Sequence, residues 1–333
     1  MAAIENTRNQ NSLINQNTLL KGCAVFLVFG LLIAVTFGTC LAVSQDQETF
    51  ASPDEAVKAL VDALKGADAK AVSAIFGPGS KDLISSGDPT SDKTDRDRFI
   101  NLYIQKSELE AVDADNVVLH VGNKGWPFPI PIVKIDGAWR FDTDEGRAEI
   151  LARRIGRNEL SVIQTCLAYV DAQREYALKD WDGDGLLVYA QTFMSAPGKK
   201  DGLYWKAKEG DAQSPLGPLV AAAQEEGYTG RQSGDKPAPY NGYFYRILKG
   251  QGKDVRGGLY DYVVEGRMIG GFALVAYPAR YGSSGIMAFV VNHDGVVYQK
   301  DLGENTEKAA LAMGRFNPDG TWEKVEEGVV EAE

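Results

Sequence analysis

A long stretch without proline, residues 149–178, constrains this fold more than any other feature of the sequence, and Gly156 is its only glycine. Apolar residues recur along it in steps of three, four, three and seven: Leu160, Ile163, Leu167, Val170 and Ala177. This spacing places them on one stripe of an α-helix. We therefore predict one long helix with a buried face, in which Cys166 is a core thiol rather than a nucleophile.

The chain beyond this helix predicts an antiparallel sheet that covers the buried face. Segments rich in Tyr, Phe and Val alternate with loops rich in Gly and Pro, and they predict strands at 243–247, 260–264, 271–277 and 286–292. Asp294-Gly295 predicts a tight hairpin turn into a further strand at 296–299. A short helical insert is expected near 216–225. The fold class is therefore α+β, with a long helix packed on a twisted antiparallel sheet.

The chain before the long helix predicts several short helices. Ser52 supplies a capping side chain, Pro53 fits the first helical turn and Gly66 ends the helix. A second short helix is expected to end at Gly77. The polar stretch 85–97 is rich in turn residues, and a third helical piece is expected around Phe99.

A small antiparallel sheet follows these helices. Alternating apolar residues predict a strand at 117–121. Prolines at 127, 129 and 131 cannot donate to a strand ladder, so we expect 128–135 to be an edge strand or an irregular one. Asp136-Gly137 predicts a tight hairpin turn. These elements predict an N-terminal α+β domain at 45–145 and a C-terminal domain with the long helix at 146–333.

The N-terminal residues 1–44 predict export. An uncharged apolar run at 22–43 follows Arg8 and Lys21, and Ala42-Val43-Ser44 is a usable cleavage site. A basic start, an apolar middle and a small-residue end are typical of a secretory signal peptide. The run is also long enough for an uncleaved membrane anchor. We expect the chain to lie in the periplasm, or to face it from the inner membrane, with membrane contact only through this segment.

Composition excludes several other classes of protein. With 44% hydrophobic residues the chain has enough apolar material for a core, so it is not disordered. Its net charge of −11 disfavours nucleic acid as a partner. Three cysteines cannot form a disulfide framework in a chain of 333 residues. No phosphate-binding glycine motif follows a predicted strand, so nucleotide binding has no support.

The sharpest local motif is Asp180-Trp181-Asp182-Gly183-Asp184-Gly185, directly after the long helix. Carboxylates at the first, third and fifth positions of a loop, followed by Gly, are how calcium loops collect hard oxygen ligands. The twelfth position is Gln191, where a bidentate Glu is usual, so we expect reduced affinity. The predicted metal ligands are Asp180, Asp182, Asp184 and Gln191, with calcium as the cofactor. The alternative is an acidic surface turn.

No catalytic residues can be assigned from the sequence. Its two histidines, His120 and His293, are too few for a zinc site and lack an evident triad. Residues 282–285, GSSG, lack the spacing of a nucleophile elbow and are expected to join two strands. We expect Arg153, Arg154 and Arg157 to form a solvated face of the long helix. The many tyrosines of the second half either bind a glycan or a protein, or are ordinary half-buried strand residues.

The sequence resembles the bacterial envelope family known as domain of unknown function twenty-nine fifty. The segments that carry the resemblance are AYVDAQREY at 168–176, DWDGDG at 180–185, YAQ at 189–191, DGLYW at 201–205, PYNGY at 239–243 and VNHDGVVY at 291–298. The resemblance implies an exported protein of Gram-negative bacteria and brings no activity or catalytic residues with it. The second half is also loosely similar to the headgroups of type IV pilins and pseudopilins, although here a first domain separates the leader from the long helix.

These observations favour a non-enzymatic function. We expect a binding or scaffolding module of the periplasm, with an envelope protein or a glycan as partner and calcium organising the second domain. The alternative is a hydrolase or transferase that acts on cell-envelope polymers. An enzyme requires a deep cleft in which several polar groups converge, whereas a binding module requires an exposed apolar or aromatic surface.

Overall fold

A computed structural model describes residues 47–229 and 237–326 of the chain. The predicted leader, 1–44, lies outside these residues. Among the described helices, none combines the length and the apolar character that a membrane span requires. The described part of 44–333 forms one compact unit. It contains two clusters of buried hydrophobic residues, one drawn mainly from 56–141 and one from 162–316. The proposed boundary between two domains near 145 stays a prediction.

The first cluster is built from four helices and a small sheet. The helices are α1 (Pro53–Lys65), α2 (Ala69–Phe76), α3 (Lys81–Ile84) and α4 (Pro89–Gln105). The strands are β1 (Ser107–Ala111), β2 (Asn116–Val121), β3 (Trp126–Pro127), β4 (Ile132–Ile135) and β5 (Ala138–Phe141). The sheet is antiparallel in the order β1-β2-β4-β5, and β3 also pairs with β2.

Local chemistry confirms several predicted boundaries in this region. The Ser52 side chain accepts from the Glu55 N–H at the start of α1, and Gly66 ends the helix. Asp136 and Gly137 have φ angles of 52° and 83° and form the β4–β5 turn. Such left-handed backbone suits Asp and Gly in two-residue hairpins. The proline-rich segment is irregular up to Pro131, as one of the two predictions had it. Strand β4 begins only at Ile132 and lies between β2 and β5, so the alternative of an edge strand is wrong.

The turn-rich reading of 85–97 is wrong, because most of this stretch belongs to α4. Asp88 caps the helix by accepting from the N–H groups of Thr90 and Ser91, and Pro89 occupies the first helical position. The helix buries none of its side chains, so the apolar periodicity that signals a helix is weak. Strand β1 was not predicted either, since its residues are mostly exposed on both faces.

The second cluster contains the long helix, α5 (Thr143–Tyr176). It begins earlier than predicted because Asp142 caps it and accepts from the Glu145 N–H. Its covering sheet is antiparallel in the order β14-β13-β12-β11-β6. The bounds are β6 (Tyr243–Leu248), β11 (Ala273–Pro278), β12 (Met287–Asn292), β13 (Val297–Asp301) and β14 (Glu323–Lys324). The α+β class, with a long helix on an antiparallel sheet, is confirmed.

Shorter elements complete this half of the chain. They are the helices α6 (Gly217–Glu225) and α7 (Thr306–Ala312) and the strands β7 (Gly250–Gln251), β8 (Tyr260–Asp261), β9 (Val263–Val264) and β10 (Arg267–Met268). The predicted Asp294-Gly295 turn joins β12 to β13, where Val291 pairs with Val297. Cys166 is fully buried on α5, as predicted, and burial raises the pKa of its thiol to about 12.

Polar side chains of α5 bind the segment that joins β11 to β12. The Asn158 amide donates to the Ser284 carbonyl at 2.9 Å. A Glu159 carboxylate oxygen accepts from the Ile286 and Met287 N–H groups at 2.9 and 3.0 Å. The 280–287 segment is thereby fixed against the middle of α5.

Candidate ligand-binding cleft

A cleft with a volume of 730 Å³ lies between the four N-terminal helices and the beginning of α5. Ligand pockets in proteins have volumes of roughly 300 to 1,000 Å³. Fifteen of its twenty-four lining residues are apolar: Ala63, Leu64, Ala67, Ala69, Val72, Phe76, Leu83, Ile84, Pro89, Phe99, Leu102, Trp126, Phe128, Pro129 and Ile150. A cleft of this size and lining can hold an apolar group of a small molecule.

Aromatic rings form one wall of this cleft. The rings of Phe99 and Phe128 lie 5.2 Å apart, and Trp126 lies 6.4 Å from Phe128. Phe99 belongs to α4, whereas Trp126 and Phe128 belong to the β3 segment, so two elements supply this wall. Trp126 is 36% exposed, and the Arg153 guanidinium lies 5.3 Å from its ring centroid. This distance is that of a cation–π contact.

The lining of the cleft also contains five arginines and three aspartates. All of them except Arg154 are at least partly exposed, and we call this charged edge the mouth of the cleft. Asp95 of α4 pairs with two of the arginines. Its carboxylate lies 2.7 Å from Arg157 Nη2 and 3.1 Å from Arg98 Nη1. The pair with Arg157 connects α4 to α5. The other two carboxylates bind backbone N–H groups, since Asp68 caps α2 and Asp92 accepts from Ser86.

Arg154 corrects the prediction of a solvated arginine face on α5. Its side chain is buried and donates to the carbonyl oxygens of Asp82 and Leu83, each at 2.7 Å. Within the described part of the chain, no carboxylate forms an ion pair with it at 4.0 Å or less. Burial lowers the pKa of the guanidinium, which still carries its charge at neutral pH. Arg153 and Arg157, in contrast, are exposed as predicted.

The N-terminal end of α4 is held by a buried carboxylate. Asp88 Oδ2 accepts from the Tyr228 hydroxyl at 2.8 Å and from the Gly242 N–H at 2.9 Å, while Oδ1 caps the helix. Burial and the neighbouring Asp88 raise the pKa of Tyr228, so its hydroxyl remains a donor. Further along, α4 presents Phe99 and Leu102 to the cleft. The helix is thus fixed at one end and covers the cleft with half-buried side chains.

The predicted calcium loop brings three of its four candidate ligands together. Oxygen atoms of Asp180, Asp182 and Asp184 lie within 4.8 Å of one another. The N–H groups of Gly185 and Gly183 donate to Asp180 and lower the pKa of its carboxyl. This convergence fits the first three positions of a calcium loop.

The other contacts of this loop fit a calcium ion less well. The Arg267 guanidinium bonds to Asp184 and lies 3.8 Å from Asp182, where it neutralises the charge that a cation would meet. The fourth candidate, Gln191, makes its contacts elsewhere. Its amide group donates to the Gly266 carbonyl, and its oxygen accepts from Lys249 at 3.1 Å. The calcium site stays a prediction.

The histidines and serines singled out in the sequence do not form a triad among the described contacts. His120 of β2 lies 3.0 Å from the Gly125 carbonyl and 2.8 Å from Glu110 of the neighbouring strand β1. His293 lies 3.9 Å from Asp294 and packs its ring edge-on against Tyr262 and Phe272. The Ser283 hydroxyl donates to the Asp82 carbonyl. His120 and Ser283 therefore bind structural partners, whereas Nδ1 of His293 is buried without a hydrogen-bond partner among the described residues.

The 282–285 segment joins two strands, as predicted, and close packing requires a glycine at position 285. A Cβ at position 285 would overlap the Tyr243 hydroxyl. Three tyrosines of the second half, Tyr243, Tyr262 and Tyr277, are buried, and the other tyrosines from Tyr204 onward are half-buried. Tyr169 and Tyr176 of α5 are buried as well. Most of these rings therefore pack within the fold rather than forming an exposed binding surface. Trp126 of the cleft is more exposed than the buried tyrosines.

Sequence reasoning missed the cleft. Its lining comes from α1, α2, α3, α4, the β3 segment and α5, and no local pattern indicates that these elements leave a space between them. One signal in the sequence was the cluster of Arg153, Arg154 and Arg157 within five residues of α5.

Comparison with known proteins adds a family but no activity. A family model described as "Protein of unknown function (DUF2950)" matches residues 47–325. No curated protein and no solved structure matches the chain. The similarity to pilin headgroups therefore stays a prediction.

Proposed function

The chain belongs to the family described as "Protein of unknown function (DUF2950)", and we propose that it is an exported, non-enzymatic binding module of the cell envelope whose ligand occupies the cleft. The apolar lining of the cleft carries this proposal. Burying apolar surface is favourable in proportion to its area, so such a cleft has a ready driving force for binding.

The polar groups around the cleft support binding rather than catalysis. The lining contains no His, Cys, Glu or Lys. Asp68, Asp92 and Asp95 bind backbone N–H groups or arginines, so none is poised as a general acid or base. Among the described carboxyl groups with a resolved shift, only Glu226 has a raised pKa, which burial causes. It lies in a second groove, of 490 Å³, whose lining shares only Arg98 and Leu102 with that of the cleft.

Direct binding of an environment-sensitive apolar dye tests the proposed cleft. We expect the dye to bind the purified chain, and Ala69→Trp to weaken binding at least about tenfold because the indole enters the space. Lys70→Trp is the matched control, since position 70 neighbours position 69 on α2 but does not line the cleft. Equal dye binding by both variants would contradict the proposal. Turnover of an envelope polymer, abolished by one polar substitution, would favour the hydrolase or transferase alternative.

Export is the second part of the proposal and rests on the apolar run at 22–43. Fractionation of cells that produce the full chain should place it in the periplasm or on the inner membrane. Mass spectrometry of its N-terminus distinguishes cleavage near Ser44 from an intact anchor. Recovery of the intact chain from the cytosol would contradict export.

We also propose that the 180–185 loop takes up calcium, because three carboxylates converge there. Calorimetry should detect binding in the weak range of extracellular calcium modules, with Kd of about 10⁻⁴ to 10⁻³ M. Asp182→Ala should abolish the signal, and Arg267→Gln should strengthen binding by removing the competing guanidinium. Gln191→Ala should have little effect, since its side chain binds Gly266 and Lys249. Absence of heat with the unmodified chain would refute the site.

A further inference from the structure

The side chains that line the cleft include more arginines than carboxylates, although the chain as a whole is acidic. The chain carries a net charge of −11, whereas arginines outnumber aspartates by five to three in the cleft lining. At ionic strengths near 0.1 M, exposed charges separated by more than about 10 Å are largely screened. A ligand at the mouth therefore responds mainly to these nearby arginines rather than to the acidic surface elsewhere.

The arginines remain partly available to a ligand. The side chains of Arg96, Arg98, Arg153 and Arg157 are 28, 53, 43 and 46% exposed, respectively. The Asp95 carboxylate is shared by Arg98 and Arg157. Arg153 binds Glu149 of the same helix through its Nε atom, at 2.5 Å. Arg96 lies no closer than 4.0 Å to its partner, Asp97. Each guanidinium has five N–H donors, so donors remain for an additional anion.

Arg154 adds a fixed positive charge inside the wall. Its partners are carbonyl oxygens, which satisfy hydrogen bonds but do not neutralise the charge. A buried cation without a paired anion is costly, and a ligand anion nearby reduces that cost. The acidic groups that face it at longer range are Asp82, Asp92 and Asp95.

The interior of the cleft is suited to a hydrocarbon chain. Phe99 and Phe128 line it beside the buried aliphatic side chains of Val72 and Leu83. Residues of α2, α4 and α5 line this space, so its apolar walls form a concave cleft rather than a flat surface. An extended chain can therefore reach them, whereas the surface of a bilayer cannot.

We propose that the cleft binds a free single-chain amphiphile with an anionic head, the hydrocarbon chain against the aromatic and aliphatic walls and the head at the arginine mouth. This inference deepens the proposed function and rests on it. The shared chemistry of the ligand is one apolar chain and one carboxylate or phosphate group. Arg153 and Arg157 are the residues that select the head, because both lie at the mouth on α5 and remain exposed.

The experiment compares four heads on the same straight chain, below the concentrations at which micelles form. Calorimetry of the full chain should give binding for the carboxylate and the phosphate monoester. The uncharged alcohol should bind at least about tenfold more weakly, and the trimethylammonium compound more weakly still. Affinity for the carboxylates should rise by about fourfold per added methylene until the cleft is filled. The ratio of carboxylate to phosphate affinity identifies the preferred head.

Variants on one helix locate the head group. Arg157→Gln and Arg153→Gln should each weaken carboxylate binding about three- to tenfold and leave alcohol binding unchanged. Arg174→Gln is the matched control, because Arg174 is an exposed arginine of α5 that does not line the cleft. Asp95→Asn should strengthen carboxylate binding by releasing two guanidinium groups. In the unmodified chain, added salt should weaken binding of the carboxylate but not of the alcohol, a readout that needs no variant.

The outcomes separate this inference from the proposed function. Equal affinity for all four heads would overturn the anionic selectivity and leave the binding cleft intact. Failure of every amphiphile and of the apolar dye would overturn both. If Arg174→Gln weakened carboxylate binding as much as Arg157→Gln does, the effect would come from the overall charge of the chain. That result would refute the role of the mouth arginines. Binding only to anionic vesicles, and not to free amphiphile, would refute the enclosed chain.

Discussion

Helix α4 and strand β11 differ sharply in how the chain uses them. All six residues of β11 are buried, and the strand pairs with β6 on one side and β12 on the other. None of the seventeen residues of α4 is buried, although the helix is well capped. Segments with few buried contacts open at lower free energy than core strands, and ligand sites commonly use such segments. The molecule thus combines a closed core around α5 with a cover that can admit a ligand.

Thiol reactivity gives the largest expected contrast between the two regions. In a chain with Cys23 and Cys40 replaced by Ser, Cys166 should react with a thiol reagent only after global unfolding, which typically costs about 5–15 kcal/mol. Its burial and its raised pKa, about 12, keep the native thiol unreactive. A Leu102→Cys probe in α4 should react through local opening, orders of magnitude faster. Equal labelling rates at the two positions would show that α4 opens no more easily than the core.

Truncation of one phenylalanine in each region sharpens the same comparison. Phe289 is fully buried in β12, and Phe289→Ala should lower the free energy of unfolding by about 3–5 kcal/mol. Phe99 is half-buried, so Phe99→Ala should cost only about 1–2 kcal/mol. Equilibrium denaturation in urea measures both. A larger loss with Phe99→Ala than with Phe289→Ala would mean that α4 belongs to the core.

The anchored end of α4 should behave differently from the rest of the helix. Asp88→Ala removes a cap and leaves the half-buried Tyr228 hydroxyl and the buried Gly242 N–H without their acceptor. We expect a loss of about 2–5 kcal/mol. Asp68→Ala removes the exposed cap of α2 and should cost only about 1 kcal/mol. Similar losses in urea denaturation would show that the buried contacts of Asp88 contribute little.

The smallest expected effect concerns the ion pair between α4 and α5. Asp95→Asn should lower the free energy of unfolding by at most about 1 kcal/mol, because the pair with Arg157 is partly exposed. Hydrogen exchange of α4 amides in the absence of amphiphile should become faster, while that of β11 is unchanged. Asp97→Asn is the control, since Asp97 pairs with Lys93 within α4 itself. If both variants accelerated hydrogen exchange equally, the lost ion pair to α5 would not be the cause.

The parts of the fold that were predictable depend on neighbours in the sequence. The Ser52 cap, the Asp136-Gly137 turn and the apolar stripe of α5 each follow from backbone and side-chain geometry over a few residues. The start of α4 had a similar local signal in Asp88-Pro89, but the polar composition of the helix concealed it. Strand β1 had none, because pairing with β2 is what makes it a strand.

The candidate site was only partly predictable for the same reason. The acidic loop is contiguous, so its three carboxylates converge as its spacing indicates, whereas the contacts of Gln191 depend on Gly266 and Lys249, far along the chain. Arg154 is spaced like a surface residue. Its burial depends on Asp82, Leu83 and Ser283, which tertiary contacts bring to α5.

By itself the sequence determined the family, the α+β class, the long helix and its covering hairpins, since caps, turns and apolar periodicity act over short distances along the chain. Only the tertiary structure decided that six separate elements leave an apolar cleft, that five arginines meet at its lining and that one of them is buried. A cleft is the space between packed elements, and its shape and charge depend on which distant residues come to lie beside one another.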